Sequence, residues 1–479
     1  MASPNASTPS KPNFYALVNY EDPYVQPLIL SALRTRLPPS SYHLISALSF
    51  LPSKSSPVLQ FLQYESIDFD HLLSHPTTSL SNAYIIRKAL IRKHYLSTTV
   101  SNWITKYPES VLRQCVKPSV EFEVDYAEFL DDALVEAWEL RESWGRNEKL
   151  DLEGGGEEKE KEWWILKPGM SERGQGIRLF GSEEELVRIF EEWDPESDDD
   201  VEDEDEDNAD TDTGARSDQH TQETKTRTTE KHEGNGIITS QLRHFIAQPY
   251  IHPPLLLSPR SSSSSSISTT LPRKFHIRTY VLAVGALKIY VYKPMLALFA
   301  ARPYMPPWES ANDDESLRAH LTNTCLQDTS EREGSVELFW SLPDSLTTSN
   351  SNTNTLPNSS WKSAIFSQIC AITSETFLAA ARSMSIHFQP LPNAFEIFGV
   401  DFLVGVEGDG RLNTYLLEVN AFPDFRQTGT ELKGLVEGLF EGVVDVGVRP
   451  FFEVEGEGKA VGEEEEKMVR VLDVDLGRR

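Results

Sequence analysis

The chain has 479 residues, of which 39% are hydrophobic and 10% aromatic, and its formal net charge is −29. This hydrophobic content suffices for two or three packed domains and excludes a chain that is disordered throughout. Three stretches, 151–162, 194–233 and 453–467, together carry −22 of the charge. The remainder is only mildly acidic, so no broad basic face is expected and direct nucleic-acid binding is not predicted.

The cysteines and the apolar stretches limit the compartment. Cys115, Cys325 and Cys370 have neither metal-ligand nor paired spacing, so we expect a reducing environment and a cytoplasmic protein. The polar N-terminus lacks the hydrophobic segment of a secretory signal. The most apolar stretch, 281–300, contains two lysines and many β-forming residues, so it predicts strands and not a membrane span. A monomer without membrane contact is expected.

Changes in composition divide the chain into domains and low-complexity segments. We predict a disordered leader (1–13), an N-terminal α/β domain (14–105), a central domain (106–251) and a C-terminal domain (272–450). The low-complexity segments are an acidic insertion at 194–233, a serine-rich insertion at 258–270, a Ser/Thr/Asn-rich insertion at 346–360 and an acidic tail at 453–479. Because apolar elements resume on both sides of each insertion, the insertions are predicted to be disordered loops in an α/β (α+β) fold.

The first third of the chain predicts one strand and three helices. FYALVN at 14–19 is typical of a buried strand, and residues 27–37 predict a helix. Residues 79–96 predict a basic amphipathic helix, in which Lys88 is one of four closely spaced lysines and arginines. Such a helix is most often a solvated surface. A further helix is predicted at 126–142.

A lysine followed by glycines suggests a phosphate-binding loop in WWILKPGMSERGQGIRLF, residues 163–180. Glycines let backbone N–H groups approach phosphate oxygens, and the Lys167 ammonium, at the end of a predicted strand, neutralises their charge. The segment is not a P-loop, since Gln175 and Gly176 stand where that motif requires Lys and Ser or Thr. A mobile hairpin is an equally good interpretation of this segment alone.

Basic residues alternate along the predicted strand RKFHIRTYV at 273–281. Because side chains two apart share a face of a strand, Lys274, His276 and Arg278 lie on one side. Three basic groups on one face suit an anionic ligand. Arg302, in AARPY, is a candidate second anion clamp, although a single Arg before Pro is more often a surface charge.

Oxygen-bearing side chains occur in two predicted strands joined by a glycine-rich turn, at 395–404 and 414–420. Glu418 and Asn420 project from one face, and Asp401 lies among apolar neighbours in the partner strand. Buried carboxylates are costly unless they are paired or bind a cation. Mg²⁺ takes few carboxylates plus substrate phosphates, so these residues predict a magnesium site, the alternative being structural carboxylates.

Several segments in series resemble the tubulin-tyrosine ligase and ligase-like family, whose catalytic domain has the ATP-grasp fold. They are SNAYIIRKALIRKHYL, WWILKPGMSERGQGIRLF, QPYI, KFHIRTYVL, HLTNTCLQ, FEIFGVDFLV and LLEVNAFPDF, from about residue 79 to 425. The patterns KFxIR, HLTN and LEVN in this order are specific. The resemblance, to a fungal member, implies an ATP-grasp fold with ATP and Mg²⁺ as cofactors.

The resemblance also implies roles for individual residues. Nucleotide contacts are implied for Lys88, Lys167, Gln248, Tyr250, Ile251, Lys274, His276 and Asn323. Arg278 and Arg302 match the arginines that hold the γ-phosphate or acyl-phosphate and the incoming amino acid. Asp401, Glu418 and Asn420 match the Mg²⁺ ligands. One departure is His276, since family members commonly have Asp there, facing the nucleotide near its sugar, so altered ribose binding or weaker activity is implied.

The implied activity is that of an ATP-dependent carboxylate–amine ligase. It would add a free amino acid, tyrosine or glutamate, to a protein acceptor such as the tubulin C-terminal tail through an acyl-phosphate. In the cell it would act in the cytoplasm, at microtubules or in granules. The alternative is a weakly active or inactive ATP-grasp adaptor, for example one associated with mRNA decapping bodies. An ATP-grasp enzyme for small metabolites is a third interpretation.

Overall fold

A computed structural model describes most of the chain, and all structural statements below refer to those residues. They are 12–153, 157–169, 175–193, 243–259, 271–322, 335–346, 360–428, 432–455 and 467–477. The predicted disordered leader (1–13) and the insertions predicted at 194–233, 258–270 and 346–360 lie outside them apart from the end residues 12–13, 258–259, 346 and 360, of which 360 begins a helix. Asn323 and residues 170–174 of the glycine-rich loop also lie outside them.

The N-terminal sheet has four parallel strands in the order β2-β1-β3-β4. These are β1 (Phe14–Asn19), β2 (Tyr42–Ile45), β3 (Val58–Leu62) and β4 (Ser79–Ser81). The predicted first strand is confirmed. The predicted first helix is also confirmed, although it spans Val25–Arg36 and so begins two residues earlier than predicted.

The single helix predicted at 79–96 is wrong. Its first residues form β4, which pairs with β3, and the chain then forms two separate helices, Lys88–Ile91 and Lys93–Lys106. Arg92 between them has an extended backbone (φ −100°, ψ 123°). Leu80 is 1% exposed, so tertiary pairing overrides the helical pattern of the sequence there.

The central sheet is a four-stranded antiparallel sheet with the order β5-β8-β6-β7. Its strands are β5 (Val120–Glu123), β6 (Trp164–Pro168), β7 (Arg178–Phe180) and β8 (His244–Pro249). The helices packed on it are Leu130–Ala133, Trp138–Leu152 and Glu183–Trp193. The continuous helix predicted at 126–142 is wrong, because residues 134–137 interrupt it.

The large sheet has eight strands, with β10 at its centre. Its strands are β9 (Leu256–Leu257), β10 (Arg273–Val284), β11 (Lys288–Tyr292), β12 (Leu296–Phe299), β13 (Val336–Leu338), β14 (Phe395–Val406), β15 (Leu412–Ala421) and β16 (Met468–Asp473). All their pairings are antiparallel. The strands predicted within 281–300 and the hairpin that carries Asp401 and Glu418 are confirmed.

The acidic tail predicted at 453–479 is wrong for its last part. Residues of β16 pair with β11, from Lys288 opposite Asp473 to Tyr292 opposite Met468. The apolar run MVRVL following the acidic stretch is the sequence signal for this strand. The chain therefore returns to the large sheet after the acidic stretch and adds an edge strand.

The remaining helices cover the sheets. They are Phe69–Ser74, Leu112–Cys115, Asp314–Leu317, Ser360–Ser383 and Lys433–Val443, with short 3-10 segments at Leu48–Phe50, Tyr64–Ser66, Ala127–Phe129, Glu158–Glu160, Pro307–Glu309, Phe339–Ser341 and Phe425–Thr428 and a π-helical turn at Val444–Val448. Within the described residues, one helix, Trp361–Ser383, is long and apolar enough to cross a membrane. Its buried residues, among them Ile365 and Ile369, pack in the core beside the large sheet.

Three hydrophobic cores join these layers. One contains one face of the large sheet with the long helix Ser360–Ser383 and the helix Lys93–Lys106. A second combines the other face with the N-terminal sheet and the helix Lys433–Val443. The central sheet has a core of its own. The domain boundaries at 105, 251 and 450 stay a prediction, but the sheets are arranged so that the central sheet faces the large sheet across a cleft.

Candidate active site

The cleft between the central and large sheets contains a cavity of about 680 Å³. Its floor is the face of β10 that carries Lys274, His276 and Arg278, which are 7%, 3% and 4% exposed. The alternation predicted from the sequence is therefore confirmed. Three buried basic side chains in a row require an anionic partner or a lowered pKa, because burial disfavours a charged group.

The carboxylates come from the neighbouring hairpin and meet this basic face. Asp401 on β14 lies directly opposite Glu418 on β15, and Arg278 on β10 lies opposite Asp401. The Asn420 amide donates to Glu418 Oε1 at 3.0 Å. Pairing of three adjacent antiparallel strands thus brings side chains more than a hundred residues apart in sequence into one cluster.

Arg278 and Asp401 form a buried two-point ion pair. Arg278 Nη2 donates to Asp401 Oδ2 at 2.8 Å, and Nε donates to Oδ1. Burial acts to lower the pKa of Arg278, but Asp401 outweighs it and raises the pKa above its ordinary value. The guanidinium is therefore permanently charged and fixes the orientation of Asp401.

Lysines from two different elements approach Glu418. Lys93 Nζ is 3.8 Å from Glu418 Oε2, and Lys167 Nζ donates to Gln248 Oε1 at 2.9 Å. Burial acts to raise the pKa of Glu418, but Lys93, the Asn420 hydrogen bond and Lys167 lower it to about 2. Burial lowers the pKa of Lys167 to about 8. Glu418 is therefore ionised throughout the physiological range.

The inner end of the cavity is closed by a buried hydrogen-bonded chain. Lys274 Nζ donates to the Tyr250 hydroxyl at 3.1 Å, and that hydroxyl is 2.8 Å from His320 Nδ1. Burial first, and the nearby Lys167 charge second, lower the pKa of Lys274 to about 7. Burial lowers the pKa of His320 to about 3, so this histidine is neutral. Lys274 would therefore gain a proton when an anionic ligand binds beside it.

His276 lies between the two ends of the cavity. Its Nδ1 is 2.6 Å from Thr322 Oγ1, and its Nε2 is 3.6 Å from Asp401 Oδ1. Burial lowers the pKa of His276, which keeps the ring neutral. Nε2 has no hydrogen-bond partner among the residues that the structure describes. This buried nitrogen faces the carboxylate cluster and is available to a ligand.

Most of the predicted site residues lie together in this cavity. They are Lys167, Gln248, Tyr250, Ile251, Lys274, His276, Arg278, Asp401, Glu418 and Asn420. Thr322 of the HLTN motif lies there too. Asn323 lies outside the described residues, so its position stays a prediction.

Two predicted residues are placed elsewhere. Lys88 is exposed and does not line the cavity, whereas Arg87 before it is buried and ion-paired with Glu396 at 2.9 Å. Arg302 is ion-paired with Glu315 outside the cavity lining. The nucleotide contact that the resemblance implies for Lys88 is therefore not supported by its position, and Lys93, five residues later, is the lysine that approaches Glu418.

Lys93 and His320 are among the cavity-lining side chains that sequence reasoning did not assign to the site. Lys93 is the basic-segment lysine that reaches Glu418, and the sequence signal for it was present in the same basic cluster. His320 begins the HLTN motif, and its bond to Tyr250 places it at the inner end. Arg92 also lines the cavity mouth.

The donor set fits Mg²⁺ bound together with phosphates. Within the described ranges no group of three or more His, Cys, Asp or Glu side chains forms a complete metal cage. Two carboxylates and an amide on adjacent strands are nevertheless the partial set that Mg²⁺ uses when phosphates and water complete its shell. The protein's own Arg278 and Lys93 neutralise these carboxylates in the present arrangement.

A larger cavity elsewhere lacks this convergence of charge. It has a volume of about 1470 Å³ and lies near β11 and β16. Asp445 in its wall is ion-paired with Arg36 at 2.6 Å and with Arg449 at 3.1 Å. The buried basic row opposite two carboxylates is found in the cleft beside β10, so that cleft is the better candidate active site.

Comparison with known proteins agrees with the motifs and geometry described above. The family model described as "Tubulin-tyrosine ligase family" matches residues 85–455. This chain belongs to the tubulin-tyrosine ligase family. The matched residues include every side chain of the cavity described above except Glu65 at its mouth.

Two relatives similar to this chain over most of its length come from yeasts. A probable tubulin–tyrosine ligase of Schizosaccharomyces pombe is 41% identical over 444 residues, covering 93% of this chain and 94% of that protein. The probable tubulin–tyrosine ligase PBY1 of Saccharomyces cerevisiae is 41% identical over 424 residues. That match covers 88% of this chain but 49% of PBY1, so this chain spans about half the length of that relative.

A solved structure gives the fold. The C-terminal domain of Pby1 from K. lactis, described as an ATP-grasp enzyme that interacts with the mRNA decapping enzyme Dcp2, is 35% identical. The two structures align with a TM-score of 0.61 over 96% of this chain and 99% of that domain. The chain has an ATP-grasp fold, as the sequence resemblance implied.

Proposed function

We propose that the chain is an ATP-dependent carboxylate–amine ligase that adds an amino acid to a protein acceptor. The observation that supports this most strongly is the cavity where Lys167, Lys274 and Arg278 face Asp401 and Glu418. Basic groups opposite oxygen ligands suit a nucleotide polyphosphate with its divalent cation. Membership of the tubulin-tyrosine ligase family supports a ligase reaction in this cavity.

Each part of the cavity would hold one part of Mg-ATP. Asp401, Glu418 and Asn420 would hold the cation, and Lys93 and Lys167 the phosphates. The nucleotide base would lie at the inner end, against Gln248, Tyr250, Ile251 and Lys274. When bound, Mg-ATP supplies the phosphoryl group that activates an acceptor carboxylate for attack by an amine.

The chain's own residues would act as positive charges that are already positioned in the cavity before the reaction begins. Arg278 stays cationic at all physiological pH values and is locked against Asp401, so it offers a fixed positive charge with little reorganisation. Lys274, whose pKa is about 7, would gain a proton beside an anionic ligand. Buried side chains on both sheets exclude water from the inner end, which strengthens these interactions.

The proposed acceptor is an acidic protein segment such as the tubulin C-terminal tail, and the proposed amino acids are tyrosine and glutamate. Support comes from the names of the yeast relatives, which are described as probable tubulin–tyrosine ligases. Arg92, which also lines the cavity, supplies positive charge for such an acceptor. The proposed location is the cytoplasm.

A transfer assay tests the reaction directly. Purified protein is incubated with Mg-ATP, detyrosinated tubulin and labelled tyrosine or glutamate, and label in tubulin is measured. We expect transfer that Glu418→Gln abolishes, whereas Glu407→Gln, on the turn of the same hairpin and bonded to Tyr415, leaves it intact. Equal labelling by the Glu418→Gln variant would overturn the assignment of the site.

An adaptor role is the second candidate. It is favoured by one observation, the described interaction of the similar Pby1 domain with the decapping enzyme Dcp2. His276 in place of the family's Asp is compatible with such a role. Nucleotide binding without transfer of any amino acid would support the adaptor, and transfer of an amino acid would exclude a purely non-catalytic protein.

A further inference from the structure

A segment of the central domain far from the cavity lining leaves four large apolar side chains in solvent. Tyr126, Phe129, Val135 and Trp138 are 50%, 48%, 62% and 60% exposed. The rings of Tyr126 and Phe129 lie 6.3 Å apart in an edge-to-face arrangement. Clustered exposed apolar side chains mark interaction sites, and tryptophan and tyrosine dominate binding energy at such sites.

Other residues of the same segment pack into the core of the central sheet. Leu130, Leu134, Ala137 and Leu140 are buried in the core of the central sheet. Between these buried positions, Val135 and Glu136 lie in a turn and Trp138 begins the next helix, and all three are exposed. The buried neighbours therefore anchor the backbone that carries the exposed apolar side chains.

Acidic side chains are interleaved with the apolar ones. Residues 126–140 contain five Asp and Glu and no Lys or Arg. Glu128, Asp131, Asp132 and Glu136 are exposed, and none of the five forms an ion pair with a residue that the structure describes. We call residues 126–139 the aromatic–acidic surface. It combines apolar anchors with uncompensated negative charge.

A strongly acidic part of the chain is attached next to this surface. Arg243, the first described residue after 194–242, is ion-paired at 2.7 Å with Asp125, immediately before Tyr126. Trp193, the last described residue before that range, has its ring 6.0 Å from that of Phe245. The sequence between these points includes residues 194–233, which carry a net charge of −13.

We infer that the aromatic–acidic surface docks a short basic segment of a partner protein, with arginines or lysines opposite the acids and an apolar side chain against Phe129 and Trp138. The negative charge of the surface favours a basic occupant. Anionic membranes, nucleic acids and a second copy of this chain, whose net charge is −29, would all be repelled. The inference does not depend on the reaction proposed for the cavity.

A peptide titration tests this inference. The probe is a short fluorescein-labelled peptide in which arginines alternate with leucine and tryptophan, and binding to the full chain is followed by fluorescence anisotropy. We expect saturable binding that weakens as salt is added, at least about tenfold weaker binding by Trp138→Ala and Phe129→Ala, and a similar loss for the pair Asp131→Lys and Asp132→Lys.

Matched controls distinguish binding at this surface from nonspecific binding to exposed aromatic rings and from nonspecific attraction to exposed acids. Phe50→Ala removes an equally exposed aromatic ring elsewhere (65% exposed), and Glu109→Lys reverses an exposed acid elsewhere. Both should bind the peptide as the unchanged chain does. Equal affinity of the Trp138→Ala and unchanged chains would overturn the inference, since the acidic tracts alone would then hold the peptide. Absence of binding, or self-association that Trp138→Ala abolishes, would overturn it as well.

Discussion

Lys274 is the residue whose environment is furthest from that of an ordinary lysine. It is 7% exposed, its ammonium lies 4.5 Å from the centre of the Tyr250 ring, and it donates to the Tyr250 hydroxyl. Among the residues that the structure describes, no carboxylate is ion-paired with Lys274, and burial together with the like charge of Lys167 lowers its pKa to about 7. Below pH 7 the protein therefore carries a charged Lys274 at a position that favours the neutral amine, which lowers its stability.

Replacing Lys274 by Met should stabilise the ligand-free protein in a pH-dependent way. The folded-state pKa of about 7 lies below the ordinary 10.5, so the penalty is complete below pH 7 and is lost as the pH rises toward 10.5. We expect Lys274→Met to raise the free energy of unfolding at pH 6 by on the order of 1.4 kcal/mol for each unit of pKa shift removed, and to have little effect near pH 10. The melting temperature, measured at both pH values, should rise at pH 6 alone.

The control for this substitution is Lys288→Met, which changes an exposed lysine on β11 and should show no such pH dependence. Addition of Mg-ATP should reverse the order of stability, because the nucleotide loses a contact in the Lys274→Met variant. A lower melting temperature at pH 6 without nucleotide would contradict the account, since the bond to Tyr250 would then outweigh the cost of burial.

Sequence alone predicted the strand residues of the cavity better than the helix residues. Alternation along a strand has a period of two, so Lys274, His276 and Arg278 followed once β10 was assigned. On the basic segment the residue facing the cavity depends on where each short helix begins and on the extended Arg92 between them. The resemblance implied Lys88, whereas the structure places Lys93 at the cavity.

At the scale of elements, the ion pair between Arg278 and Asp401 fastens β10 to β14. Both side chains are buried and are opposite one another in the strand register. Removing one member leaves the other charge buried without its partner, which costs far more than losing an exposed pair. The pair therefore stabilises the same strands that carry the candidate metal ligands.

We predict that Arg278→Met lowers the free energy of unfolding by about 3–5 kcal/mol, and that adding Asp401→Asn recovers part of this loss. Urea denaturation of the single and double variants measures both values. Arg470→Met is the matched control, because it breaks the exposed pair with Asp473 at the edge of the sheet and should cost under about 1 kcal/mol. Equal losses for Arg278→Met and Arg470→Met would contradict the role of the buried pair.

The elements that sequence predicted best are long strands with their pattern intact, such as 395–404, which the structure extends to Phe395–Val406. The elements that it missed depend on contacts with distant parts of the chain. β4 has three residues and exists because it pairs with β3, and β16 exists because it pairs with β11. Neither partner is visible in the local pattern of these short segments.

At the scale of the whole molecule, the N-terminal sheet is fused to the ligase fold through a shared core. Phe14 of β1 stacks on Phe452 with ring centres 4.1 Å apart, and Phe61 of β3 lies 5.5 Å from Phe395 of β14. Sequence predicted that β1 is buried but not what it packs against, because periodicity identifies a buried face and not its partner.

Because of this shared core, the N-terminal sheet and the large sheet should unfold together. We predict that Phe14→Ala lowers the free energy of unfolding by about 3–5 kcal/mol and leaves one cooperative transition. Chemical denaturation followed by circular dichroism and by tryptophan fluorescence measures this. Phe50→Ala, at a 65% exposed position in the same sheet region, should change stability little. Separate transitions for the two probes would show that the N-terminal sheet folds independently.

The central claim is that the cavity beside β10 binds Mg-ATP through Glu418 and its neighbours. Calorimetric titration of the full chain with ATP, with and without Mg²⁺, tests it most directly. The account predicts magnesium-dependent binding that Glu418→Gln weakens at least about tenfold and that Glu407→Gln leaves unchanged. No binding by the unchanged chain, or equal binding by the Glu418→Gln variant, would contradict it.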